Sequence, residues 1–112
     1  MAVPGSQLHK LVWFVPEEAL AVTRDAVFGA GAGRIGDYER CSWYTAGTGT
    51  FMPGEGAHPT VGEVGEEELV PELRVETVVP VGLAASVVRA LLDAHPYEEV
   101  AYELYAIVQL EP

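Results

Sequence analysis

Basic residues are scarce in this sequence. Lys and Arg total 6 against 17 Asp and Glu, a formal net charge of −11 over 112 residues. Phosphate-rich partners therefore meet a repulsive field, which argues against nucleic acid and anionic membrane surfaces. Long apolar runs are missing as well: Leu11 to Val15 falls far short of the roughly 20 residues that span a bilayer. The first residues also lack the charged, then apolar, layout of a secretion signal. The single cysteine, Cys41, has no partner for an internal disulfide and builds no zinc pattern; both points fit a reducing, cytoplasmic setting, with Cys41 as a small strand residue. No Cys-His or Ser-His-Asp spacing stands out, and the cation next to Cys41 is Arg40. Glu98 and Glu99 are adjacent, so in an extended segment their side chains diverge and do not form a catalytic pair. The expectation is a binding or regulatory module without catalytic residues.

What is present suffices for one fold. Hydrophobic residues make up 49% and charged residues 21%, a globular composition. A chain of this length holds one core, burying roughly 65% of its unfolded surface. Residues 1–8 read as a flexible tail and 9–112 as one domain.

The apolar stretch from Lys10 to Val15 reads as a central strand. Pro16 then opens a helix, Glu17 and Glu18 suit the positive end of its dipole, and Ala19, Leu20, Val22, Ala26 and Val27 supply its apolar stripe. Gly29, Gly31 and Gly33 close it. Alternation predicts strands over Tyr38 to Thr45, Leu73 to Val79 and Tyr102 to Leu110, and the 3.6-residue spacing of Ala84, Val87, Val88, Leu91 and Leu92 predicts a second helix that ends at His95, before Pro96. The order βαββαβ is the split βαβ arrangement: an α+β, ferredoxin-like fold with a four-stranded antiparallel sheet and two helices on one face. The strands carry Trp13, Trp43, Tyr44, Tyr102 and Tyr105, more bulk than one helical layer covers, so self-association is expected.

Three segments stand out. Gly31 to Gly36 satisfies GxGxxG, but it leaves a helix where the dinucleotide fingerprint must enter one, so its glycines are expected to supply positive φ at the exit. The Gly/Pro stretch from Gly47 to Gly65 is longer than compact domains need. Backbone approach at Gly47 and Gly49, the hydroxyls of Thr48 and Thr50, and Phe51 make it a candidate for binding a small molecule or anion. The corner His95-Pro-Tyr-Glu-Glu99 concentrates an imidazole, a phenol and two carboxylates. Tyr97 is a candidate apolar wall, and His95 and Glu98, with His58 from the loop, are candidate ligands for a divalent metal. The alternative for His95 and Tyr97 is fixing the turn by hydrogen bonds. His9 reads as strand-start surface.

These landmarks together resemble the insert domain of the YqfO, or Nif-three-like, proteins, which is PII-like or CutA-like. The matching segments are Val15-Pro16-Glu17, Gly31 to Gly36 with Asp37-Tyr38-Glu39, Gly47 to Phe51 with Pro53, Pro59 with Gly62, Glu72 to Glu76, and most tellingly His95 to Glu99. The resemblance implies a ferredoxin-like module related to groups that form trimers, and a homo-oligomer here, with a trimer favoured over a dimer. It also implies a ligand cleft between subunits, where the Gly47–Gly65 loop of one meets the His95–Glu99 corner of the next. The dinuclear metal centre of the full-length proteins lies in flanking domains without counterpart in these residues, so a hydrolase or cyclohydrolase activity does not transfer. A docking domain with no small ligand and, further off, a metal-dependent hydrolase are the alternatives.

Overall fold

A computed structural model describes residues 7–110; the tail expected over Met1 to Ser6 lies outside them. Strand β1 (Leu8–Val15) is followed by a 3₁₀ turn (Glu17–Ala19), helix α1 (Leu20–Gly29), strands β2 (Ser42–Phe51) and β3 (Glu68–Pro80), a second 3₁₀ turn (Val81–Leu83), helix α2 (Ala84–Ala94) and strand β4 (Tyr102–Ala106). The sheet order is β2-β3-β1-β4 with every pair antiparallel. This is the expected ferredoxin-like fold, with β1 central. Gln7 and Leu8, expected within the 1–8 tail, are bonded into the fold: Leu8 pairs with Pro80 and the Val81 N–H donates to the Gln7 carbonyl at 2.9 Å.

Directly paired residues of an antiparallel ladder share a face, so the register sorts the side chains into rows. Tyr44, Val75, Trp13 and Tyr102 form one row, and it lies on the helix side because the Trp13 indole N–H donates to Thr23 Oγ1 of α1 at 3.1 Å. Leu11, Trp13, Val15, Val75, Val79, Val27, Val87 and Leu91 are fully buried there. The opposite face carries the rows Thr45-Arg74-Phe14 and Trp43-Glu76-Val12-Glu103, then Val78-Lys10-Tyr105. The expected surplus of aromatic bulk is therefore divided: Trp13, Tyr44 and Tyr102 belong to the helix side, and Trp43 and Tyr105 are left on the uncovered one.

The apolar stripe of α1 differs from expectation. Val22 is 51% exposed, whereas Thr23 is fully buried with Ala19 and Val27. A buried indole N–H needs an acceptor, and Thr23, whose hydroxyl in turn donates to the Ala19 carbonyl at 2.9 Å, supplies it.

The glycine-rich exit from α1 is structural, as expected. Gly33 has φ +84°, its N–H donates to the Val78 carbonyl at 2.8 Å, and its carbonyl accepts from the Cys41 N–H at 2.7 Å. An added Cβ would come within 2.7 Å of the Phe28 ring. Cys41 itself precedes β2 rather than lying in a strand.

Two strand boundaries also shift. Gly47 to Phe51, expected as loop, is the second half of β2, paired with the early half of β3 from Glu68 to Glu72; backbone pairing overrides low strand propensity. Beyond Ala106 the last strand stops, because its partner β1 begins at Leu8 and His9 already pairs with Ala106. Val108 and Leu110 are 90% exposed. Among the described residues, no helix is long and apolar enough to cross a membrane.

Candidate functional site

The corner after α2 is set by His95. Its N–H caps the helix by donating to the Leu91 carbonyl at 2.9 Å, and its backbone, at φ −78° and ψ 140°, has left the helical region ahead of Pro96. The imidazole is buried and both its nitrogens are used. Nδ1 accepts from the Tyr97 N–H at 3.1 Å, and Nε2 lies 2.7 Å from the Phe14 carbonyl. An N–H can only donate and a carbonyl can only accept, so the ring is neutral with its proton on Nε2. Burial pushes the His95 pKa below the usual histidine range, with the Phe14 bond acting the other way. The Tyr97 ring stands edge-on to it, centroids 5.1 Å apart.

The long loop folds onto this corner within one chain. The His58 N–H donates to Glu98 Oε1 at 2.9 Å, and the Thr60 hydroxyl donates to the Pro96 carbonyl at 3.3 Å. Inside the loop, the Gly65 N–H donates to the Pro53 carbonyl at 2.8 Å and closes its base. Loop and corner thus meet between segments of the one chain. The chain geometry explains it: the end of β2 and the start of β3 project beside the end of β1, to which His95 is bonded.

Between loop, corner and uncovered sheet face lies a cleft of about 370 Å³, the size of a small-ligand site. Phe14 comes from β1, Ala101 from just before β4, Phe51 from the end of β2, Met52, Pro53, Pro59 and Val61 from the loop, and Tyr97, Glu98 and Glu99 from the corner. Glu72 of β3 lines it from below. Its carboxylate lies over the backbone of Gly49, where an added Cβ would collide with it. Burial raises the Glu72 pKa above the usual carboxylate range. Burial, then the charges of Glu72 and Glu18, raise that of Tyr97.

Of the sequence candidates, Gly49, Thr50, Phe51, Tyr97 and Glu98 line this cleft; Gly47 and Thr48 lie farther back on β2 and do not. Phe14 and Glu72 were missed because only the strand register brings them together with the loop. The metal set does not converge: His95 has no free ring nitrogen, Glu98 is bound to the backbone of His58, and His58 is exposed. Among the described residues no three His, Cys, Asp or Glu side chains are grouped to hold a metal ion. Anion capture is also contradicted in the cleft, whose lining includes carboxylates and neither Lys nor Arg.

No family model matches the chain. It is 52% identical over 103 residues to a Mycobacterium leprae protein named GTP cyclohydrolase 1 type 2 homolog, covering 92% of this chain and 27% of that protein. It is 48% identical over 102 residues to the Bacillus subtilis protein of the same name, covering 91% and 27%. The chain thus spans about a quarter of the length of the curated relatives it matches. Among solved structures, a Bacillus cereus protein related to NIF3 superposes with a TM-score of 0.82 at 42% identity, over 93% of this chain and 26% of that one. The divalent cation tolerance protein CutA from Archaeoglobus fulgidus superposes at 0.68 with 12% identity, over 93% and 87%. GlnK from B. subtilis does so at 0.60 with 13% identity, over 91% and 86%. At such low identities CutA and GlnK share the fold alone.

Proposed function

We propose that this chain, as the counterpart of a PII/CutA-like segment of the YqfO, or Nif-three-like, proteins, is a homo-oligomeric binding module that takes a small molecule in the loop-roofed cleft. The observation that carries the reading is the closure of that cleft within one chain. A Gly/Pro-rich loop is bonded to a corner whose own conformation is fixed by His95, and the lining is largely apolar and aromatic with three carboxylates. Pre-formed concave sites of this composition are how proteins hold small ligands.

Binding rather than turnover is the role proposed. Cys41 is not among the cleft-lining residues, and the His95 imidazole beside Tyr97 is committed to backbone groups. The name of the full-length relatives describes proteins of which this chain matches 27%, so the activity it evokes is not assigned to this segment. Assembly would use the uncovered sheet face, where Trp43 and Tyr105 are 58% and 42% exposed.

The test is a titration of a neutral aromatic fragment set against isotope-labelled protein, followed by amide shifts. Saturable shifts at Gly49 to Phe51 and at Tyr97 to Glu99 are expected. Shifts confined elsewhere, or none across the set, would overturn the binding role.

A further inference from the structure

The cleft lining combines two chemistries. Phe14, Phe51 and Tyr97 offer three aromatic rings, and Glu72, Glu98 and Glu99 offer carboxylates, of which Glu98 and Glu99 are exposed and Glu72 is half-buried. Glu98 is already an acceptor for His58, but Glu72 has no ion pair or hydrogen bond to another side chain among the described residues. The next residue on the same face, Arg74, is paired with Glu76 rather than Glu72: its Nε donates to Glu76 at 3.1 Å. Its guanidinium lies 5.7 Å from the centroid of the Phe14 ring, so one of the cleft's own walls already serves as the aromatic partner of an organic cation.

A carboxylate partly removed from water and left without a partner is costly unless an opposite charge joins it. The raised Glu72 pKa is the same cost seen as a protonation preference. A metal ion does not suit the site, because hard divalent cations need several converging oxygens and no such group is assembled. An anion does not suit it either, since no basic side chain lines the cleft and the whole chain carries −11. An ammonium or guanidinium on an apolar body satisfies both surfaces at once: the charge meets Glu72 and the body fills the aromatic walls.

We infer that the cleft selects small organic cations, with Glu72 as counter-ion and Phe14, Phe51 and Tyr97 as the surrounding rings. The inference rests on the binding role proposed above and specifies the class of ligand. Its test uses three probes with the same phenyl body, namely 2-phenylethylamine, 2-phenylethanol and phenylacetate, each titrated into the wild-type chain at low salt and followed by amide shifts at Gly49 to Phe51 and Tyr97 to Glu99. The amine is expected to bind about tenfold or more tighter than the alcohol, since a charge-assisted contact replaces a neutral one, and phenylacetate weakest of the three. Glu72→Gln, which keeps the shape and removes the charge, is expected to bring the amine down to the affinity of the alcohol and leave the alcohol unchanged. Equal binding of amine and alcohol, or tightest binding of phenylacetate, overturns the cation inference and leaves the cleft as a binding site. An amine preference that survives Glu72→Gln overturns the assignment of Glu72. Absence of cleft shifts with all three probes removes the binding role itself, and the inference with it.

Discussion

The two faces of the sheet are built on opposite principles. On the helix side, apolar side chains interlock with α1 and α2, and the buried polar groups Trp13 with Thr23, and Thr77 with the Cys41 carbonyl, are internally satisfied. On the uncovered side, charges are arranged in sequence, Lys10 Nζ to Glu76 at 3.7 Å and Arg74 Nε to Glu76 at 3.1 Å, and the cleft opens at one end of that face. The difference separates stability from recognition. The closed face holds the fold by excluded water, and the open face is where the proposed ligand and the proposed second copy of the chain would meet it.

Breaking the closed face is expected to have the largest effect. Leu91 of α2 is fully buried in the core, so Leu91→Ala should cost about 3 kcal/mol through lost transfer energy and the cavity left behind. Chemical denaturation measures it, and a loss below about 1 kcal/mol would mean that the core is less tightly packed than its burial implies.

The hinge between the two faces comes next. His95→Ala leaves the Phe14 carbonyl and the Tyr97 N–H without their partner, a loss of roughly 1–2 kcal/mol, and should loosen the cleft. The pH dependence has a definite sign. A histidine whose pKa is lowered on folding binds its proton more readily in the unfolded chain. Its contribution is therefore complete above the ordinary value near 6.5 and is lost as the pH falls below that value toward the lower folded one. Wild-type melting temperature should drop on acidification through this window, and the drop should be smaller in His95→Ala. Identical pH profiles for the two proteins would remove His95 from this role.

The smallest effect on stability is expected on the open face. Glu76→Gln dissolves both ion pairs of a partly exposed network and should change stability by no more than about 0.5 kcal/mol. If that face joins subunits, the same substitution should lower the sedimentation coefficient at fixed concentration; an unchanged coefficient for an assembled protein would place the interface elsewhere.

How far the sequence could be read follows the same division. The helices and central strands were legible because hydrophobic periodicity repeats over several turns or several alternations, as with Val87 and Leu91 or Val75 and Val79. The His95 corner was legible because Pro96 bars the helix from continuing. Val22 and Thr23 were not, since Thr23 turns inward for the sake of Trp13, ten residues away. Gly47 to Phe51 read as loop because strand pairing with Glu68 to Glu72 is a long-range property that local composition does not carry. The candidate cleft was half visible: Phe51, Tyr97 and Glu98 stand in conspicuous motifs, whereas Phe14 and Glu72 look like ordinary strand residues until register puts them on one face.

Order of elements, charge and the location of the unusual segments are properties of neighbouring residues, and so the chain's amino acids decide them locally. Which face a strand residue occupies depends on strand register, and the contacts of His58, Glu98 and His95 depend on pairings between residues 40 to 81 positions apart. Those pairings exist only once the sheet has formed, because a one-residue change of register reverses every side chain. The folded sheet thus commits the His95 ring to backbone groups and sets Glu72, without a side-chain partner among the described residues, beside aromatic rings.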